Sequence, residues 1–273
     1  MRTVKMVVLV LLAACGVGCL SVDSVIKVKA DGTGTIEQTM LINSSATGML
    51  SMIGSGQDGA AAKTKLDPAT LFSEDKLRSE AARLGDGVSF VSSTPVAKGD
   101  MNGVTAVYAF TDFNALRVST AMPDLEDAGT SITGTGQRLP LVLTRNAGSS
   151  VITLDMLAAA GGPPPPGAAT AREGAPEIPK EMMSMLAPMF RDMRVAVSLE
   201  PQGTLVRTNA THVTGQRVTL VDVAFGELLA DPSALEKMEA LGSNPSMPAI
   251  RSALKGMKGV RINDADTLEI EFR

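Results

Sequence analysis

Apolar and polar side chains alternate along residues 24–30 (SVIKVKA) and 35–41 (TIEQTML), and Asp31-Gly32-Thr33-Gly34 separates the two runs. A period of two puts successive side chains on opposite faces of a strand, and glycine accepts the positive φ of a tight reversal. These residues predict a hairpin. Residues 88–93 and 104–110 predict a second around Gly99-Asp100-Met101-Asn102-Gly103, with Asn-Gly in its loop. Residues 138–144 and 151–156 predict a third around Arg145-Asn146-Ala147-Gly148. Residues 195–200 and 204–209 flank Pro201-Gln202-Gly203 as a fourth. Residues 217–224 add a strand, and residues 267–273 close the chain as another.

Between these runs the period lengthens to that of a helix. Asp67-Pro68 reads as an N-cap with proline at the first helical position, and Leu71, Leu77, Ala81 and Leu84 lead to a stop at Gly85. Asp231-Pro232 opens another helix, with Leu235, Met238 and Leu241 before Gly242. Ile250, Ala253, Leu254 and Met257 form a further amphipathic helix ending at Gly259. Residues 179–193 read as helix, and Met49, Leu50, Met52 and Ile53 as a short one lying on the sheet. Together these elements predict an α+β fold: an antiparallel sheet built from hairpins with amphipathic helices packed on one face. Residues 158–179, with Gly161-Gly162 and four prolines from Pro163, are too poor in large apolar groups to pack. They read as a linker or exposed loop between an N-terminal region, 20–157, and a C-terminal region, 180–273.

Ahead of the first strand, Arg2 and Lys5 precede the nine-residue run MVVLVLLAA at residues 6–14. That run is too short to span a bilayer, which needs about 20 residues, and it has the layout of a secretory signal. It meets cysteine twice. Leu12-Ala13-Ala14-Cys15 resembles a bacterial lipobox, which implies a signal peptide over residues 1–14 and acylation of Cys15. Cys19 is the alternative, with a signal peptide over residues 1–18, although Gly16 stands where that motif has a leucine. Two or three acyl chains hold a protein on a membrane, since each buried CH2 contributes about 0.8 kcal/mol. The resemblance implies a bacterial cell-envelope protein, and Gly16 in the second mature position points to the outer membrane.

Charge and composition narrow the chemistry. The net charge is -4, and losing Arg2 and Lys5 with the leader makes it more negative, which disfavours nucleic acid as a partner. The chain has one histidine, one tyrosine and no tryptophan, so histidine-rich chemistry and base-stacking surfaces have almost no material. Gly54-Ser55-Gly56-Gln57-Asp58-Gly59 is no phosphate loop, because three alanines separate it from Lys63. Gly32-Thr33-Gly34-Thr35-Ile36-Glu37 has glutamate where a dinucleotide fingerprint needs its third glycine. His212 reads as a surface or satisfied side chain, and Asn263-Asp264-Ala265-Asp266 as a turn and not a calcium loop. No metal and no cofactor is expected. Met182, Met185 and Met189 share one helical face, which reads as core or as the wall of an apolar-ligand groove.

With the lipobox and the early Asp-Gly-Thr-Gly turn, residues 193–223 carry Pro201, Gly203, Val206, Asn209, Gly215 and Val218 in a strand, turn and strand pattern. In these features the chain resembles LppM-type bacterial lipoproteins, but it lacks the tryptophan common on their last strand. The resemblance implies a fold more than an activity. The expected function is a lipid-anchored, non-catalytic binding or structural module, with an envelope protein or an apolar ligand as partner. The alternatives are a carrier of a lipid or other apolar ligand and, third, a carboxylate-based hydrolase.

Overall fold

The computed structural model describes residues 20–43, 71–117, 140–156, 191–231, 233, 234, 237 and 252–273. Twelve strands among them form two sheets. The eight-stranded sheet contains β1 (Leu20–Val28), β2 (Gly34–Asn43), β3 (Val88–Lys98), β4 (Met101–Phe110), β7 (Arg194–Pro201), β9 (Val213–Thr214), β10 (Arg217–Ala224) and β11 (Val260–Ile262). Its order is β11-β10-β7-β1-β2-β4-β3, with β9 on β10. The second sheet runs β5-β6-β12-β8, from β5 (Leu141–Asn146), β6 (Ser149–Asp155), β12 (Thr267–Phe272) and β8 (Leu205–Thr208). Strands from both sides of residues 158–179 interleave, since β7 lies beside β1 and β12 beside β6.

The architecture corrects the expected one. The layer facing the large sheet is mainly a second sheet: Leu143, Ile152, Leu154, Leu268, Ile270 and Phe272 share one core cluster with Ile26, Ile36, Tyr108 and Leu199. Each alternating strand has an apolar face to bury, and four further such strands supply a facing layer as well as helices do. Burying each of these side chains contributes about 1.5–3 kcal/mol. Nor is the large sheet purely antiparallel, because β1 and β7 pair in parallel from Ser21↔Arg194 to Val28↔Pro201. Hairpin signals report neighbours along the chain and are silent about such distant partners. The helix expected at 49–53, the linker at 158–179 and residues 180–190 of the helix expected at 179–193 lie outside the described residues, and residues 191–193 form a turn and not the end of a helix. Most residues of the one expected from Asp231 also lie outside them. The helix expected from Ile250 to Gly259 is described from residue 252 and is shorter than expected: only 252–254 are helical, and the chain turns at Lys255-Gly256, with Gly256 at φ 73°.

Two of the expected hairpins close differently. Lys98 pairs with Met101, so the β3–β4 loop is Gly99-Asp100, with Gly99 at φ 59°. Glycine first with positive φ is the pattern of type II′ hairpin loops. Asn102-Gly103 instead lies inside β4, where a Cβ on Gly103 would stand 1.9 Å from the Met40 carbonyl oxygen. Gly103 is there for close backbone approach. The pair expected around Pro201-Gln202-Gly203 is no hairpin at all: β7 belongs to the large sheet and β8 to the small one. The chain turns a corner between layers, tied by Gln202 N–H to Val28 O at 2.7 Å and by Thr204 N–H to Arg273 O at 2.7 Å. A Cβ on Gly203 would meet that same Arg273 oxygen at 2.5 Å.

The longest helix among the described residues, α1 (Glu74–Leu84), packs Leu77 and Ala81 into the main core beside Leu71, Phe72 and the partly buried Leu84. Ser73 is its N-cap, Glu74 and Asp75 complement the dipole in the first turn, and Gly85 ends it at φ 148°. The expected start at Asp67-Pro68 lies outside the described residues. A short helix, α2 (Phe225–Leu229), brings Leu228 against Ala234 and Met257 in a second, small core. The outer edge of β3 carries a bulge between Phe90 and Ser92 and a proline at Pro95, both of which blunt edge-to-edge pairing.

Candidate functional site

Cys15, Cys19, Met182, Met185 and Met189, the residues singled out for anchoring and for an apolar groove, lie outside the described residues. Met193, from the same methionine run, is buried immediately before β7.

His212 follows β8 in a stretch leading into β9 and opens on a cleft of about 250 Å³. Leu254, Val260 and Ile262 give the cleft an apolar side, while Lys255 and Asp264 stand together with Nζ to Oδ2 at 3.0 Å. Asn263 lies beneath them, fully buried, and its amide is spent on structure: Oδ1 accepts from Thr211 N–H at 2.9 Å, and Nδ2 donates to Thr219 O at 2.6 Å. Thr219 lies at the register shift of β10, so Asn263 satisfies a carbonyl displaced from the ladder. The acidic run therefore connects β11 to β12, and its first residue is a clamp. The cleft has a mixed apolar and polar lining but is smaller than the roughly 300–1,000 Å³ usual for ligand pockets. Its one carboxylate is engaged by an ammonium.

A wider cleft of about 680 Å³ lies where β7 ends and the β9–β10 turn begins. Glu200, Gln202, Thr214, Gln216 and Arg217 line it. Arg217 Nε and Nη2 both donate to Glu200 Oε2, at 3.0 and 2.8 Å. On the outward face of the same sheet Arg194 donates from Nε and Nη2 to the two oxygens of Asp222, at 2.7 and 3.0 Å. That pairing raises the Arg194 pKa, with burial opposing it. Lys27 and Glu37 form a further pair on this face.

Two carboxylates titrate below their usual range, and both hold turns. Asp31 is lowered by the backbone N–H and then the hydroxyl of Thr33, and Asp231 by the hydroxyl and then the backbone N–H of Ser233. A general acid needs the opposite displacement.

The feature sequence reading missed lies inside the sandwich. Gln38 and Tyr108 point inward from β2 and β4, 7% and 0% exposed, and Gln38 Oε1 and the Tyr108 hydroxyl have no hydrogen-bond partner among the described residues. Burial, and secondarily the charge of Glu80 on α1, pushes the Tyr108 pKa up, so the phenol stays a donor. Phe90 meets the Tyr108 ring edge-on at 6.0 Å, and the Arg78 guanidinium caps Phe90 at 5.4 Å. A signal was present: Ile36, Gln38 and Met40 occupy one phase of β2, and glutamine interrupts an otherwise apolar series.

No family model and no curated protein matches the chain. Among solved structures it is similar to the folded domain of LppM from Mycobacterium tuberculosis, determined by NMR. The overlap covers 93% of this chain and 90% of that one at 12% identity, with a TM-score of 0.32. A likeness of that strength assigns neither fold nor function.

Proposed function

We propose that this chain is a lipid-anchored protein of the bacterial cell envelope whose β-sandwich serves as a non-catalytic binding or structural module. The observation that carries the reading is where β1 starts. This interior strand begins at Leu20, directly after Cys19 and five residues after Cys15. An extended chain reaches about 3.3–3.6 Å per residue, so acylation at Cys15 would hold the sandwich within about 18 Å of the membrane. A module so tethered works on what lies at or near that surface. The engaged carboxylates favour binding over hydrolysis, since those with displaced pKa values have moved away from acid catalysis. The orphaned polar atoms of Gln38 and Tyr108 favour a second reading, a carrier of an apolar ligand.

Cys15→Ser tests the anchor. It is expected to abolish incorporation of labelled palmitate and to leave an unprocessed precursor, because a hydroxyl does not replace the thiol in thioether formation. Normal labelling of Cys15→Ser, lost only in Cys19→Ser, would move the anchor to Cys19. Labelling of neither wild type nor variant would remove it. Density-gradient separation of envelopes then tests the outer-membrane location.

A further inference from the structure

The wider cleft has a definite place along the anchored strand. Glu200 and Pro201 lie opposite Lys27 and Val28, the last residues of β1, which starts at Leu20. Eight steps of about 3.3 Å put the cleft about 26 Å along β1 from its start, at the end away from the cysteines. There β7 leaves for the corner at Gln202, and β10 begins at Arg217. Glu200, Pro201 and Gln202 line the cleft of about 680 Å³ from β7 and its exit, and Thr214, Gln216 and Arg217 from the β9–β10 turn.

That lining disfavours three kinds of occupant. Arg217 and Glu200 are its charged groups among the described residues and are paired, so no net charge draws an ion. Proline is its most apolar side chain among them, so a lipid chain would gain little by burial. β7 and β10 already have a neighbour on each side, β1 and β10 for the first, β7 and β9 for the second, and offer a peptide no edge to extend. What remains is a set of groups that each donate and accept. The amides of Gln202 and Gln216 and the hydroxyl of Thr214 belong to exposed residues, and Gln202 has only a long contact, Nε2 to Glu200 O at 3.5 Å. The ion pair leaves Glu200 Oε1 and Arg217 Nη1 outside it, an acceptor and a donor on adjacent side chains. Vicinal hydroxyls, each donor and acceptor at once, match such a lining.

We propose that this cleft binds a neutral saccharide through its hydroxyl groups. This deepens the binding half of the function above, and it rests on that reading only in placing the sugar on the side away from the membrane. The full chain, in a zwitterionic detergent because alkyl glycosides would compete, is titrated with chitotriose and with maltotriose and followed by saturation-transfer NMR. At least one of the two is expected to receive saturation in a saturable way, with trialanine and 1-octanol at least tenfold weaker. Thr214→Val and Gln216→Ala, both at exposed positions of the turn, should each weaken the sugar at least threefold with the thermal midpoint unchanged. Glu200→Gln, which dissolves the ion pair, should weaken it further.

Saturable transfer to neither sugar would overturn the proposal. So would trialanine or octanol binding as well as the sugars, or an affinity unaltered in both turn variants. If either turn variant lowers the midpoint, Gln202→Ala, reached from β7, decides by the same reading. A normally acylated chain that binds neither sugar refutes the saccharide site and leaves the anchor standing, while an unlabelled chain that binds one does the reverse.

Discussion

The two sheets of the sandwich treat their inward positions differently. In the four-stranded sheet the buried inward residues are Leu141, Leu143, Ile152, Leu154, Leu268, Ile270 and Phe272, with Ser150 as the polar exception. Ser150 is satisfied, since its hydroxyl donates to Ala30 O at 2.9 Å. The eight-stranded sheet breaks its apolar phase with Ser24, Gln38 and the Tyr108 hydroxyl, and Gln38 Oε1 and that hydroxyl have no partner among the described residues. One sheet spends its inner face on cohesion alone. The other holds unspent hydrogen-bonding capacity in its interior, which costs stability unless something bound there recovers it.

The sharpest break of this comparison is a truncation in each sheet. Leu268 is fully buried between β6 and β8, and Leu268→Ala is expected to cost on the order of 2–5 kcal/mol by lost burial and the cavity left behind. Gln38→Leu should cost nothing or stabilise, because it removes an acceptor that has no partner. Urea melts of both variants check the pair. A loss below about 1 kcal/mol for Leu268→Ala, or a large loss for Gln38→Leu, would erase the distinction between a cohesive sheet and a receptive one.

How far this division could be read from the chain depends on the range of each signal. β10 matches its expected bounds, and β12 lacks only Arg273 of those expected, because local alternation and turn residues decide them. The first three hairpins were legible for the same reason, although the β3–β4 loop sits three residues earlier than its Asn-Gly suggested. Asn-Gly marks a turn only when its glycine needs positive φ, and Gly103 is required instead by the nearness of Met40 O. The parallel pairing of β1 with β7 left no local trace, since its partners are more than 170 residues apart. The corner at Gln202-Gly203 resembled a hairpin turn because the geometry that reverses a chain also carries it from one layer to the next. Of the candidate interior site, Gln38 was legible as a polar residue in an apolar phase. Its neighbours across the sheet, Ser24 on β1 and Ala106 on β4, needed the register of three strands.

A smaller effect tests the seam between the layers. Asn263 joins them, with its amide holding the β10 carbonyl of Thr219 on one side and Thr211 N–H, beyond the end of β8, on the other. Asn263→Ala leaves these two part-buried groups without that partner and is expected to cost about 1–3 kcal/mol. Hydrogen exchange gives the local readout: the amides of Thr211 and β10 should lose protection while those of β6 and β12 keep theirs. Uniform loss across both sheets would mean that the two layers unfold as one unit, and that their difference in composition has no counterpart in local stability.

The smallest effect concerns the turn where the sheets meet at the other end. Asp31 accepts from Thr33 N–H at 2.9 Å and from the Thr33 hydroxyl at 2.8 Å, and the neighbouring Ala30 carbonyl receives Ser150 from the small sheet. These hydrogen bonds favour the ionised carboxylate, so its folded pKa lies below the usual 3.8. The sign follows from linkage: the contribution is complete above pH 3.8 and is lost as pH falls through the lower, folded value. Asp31→Asn keeps an acceptor but no charge, and so imitates the protonated turn at every pH. Wild type is therefore expected to exceed Asp31→Asn in urea midpoint by a constant margin near neutrality, with the two converging below pH 3.8. The group is fully exposed, which keeps the margin small. A gap that persists unchanged into strong acid would show that the asparagine disturbs the turn by its geometry, and that charge at Asp31 has no part in holding β1 and β2 against the second sheet.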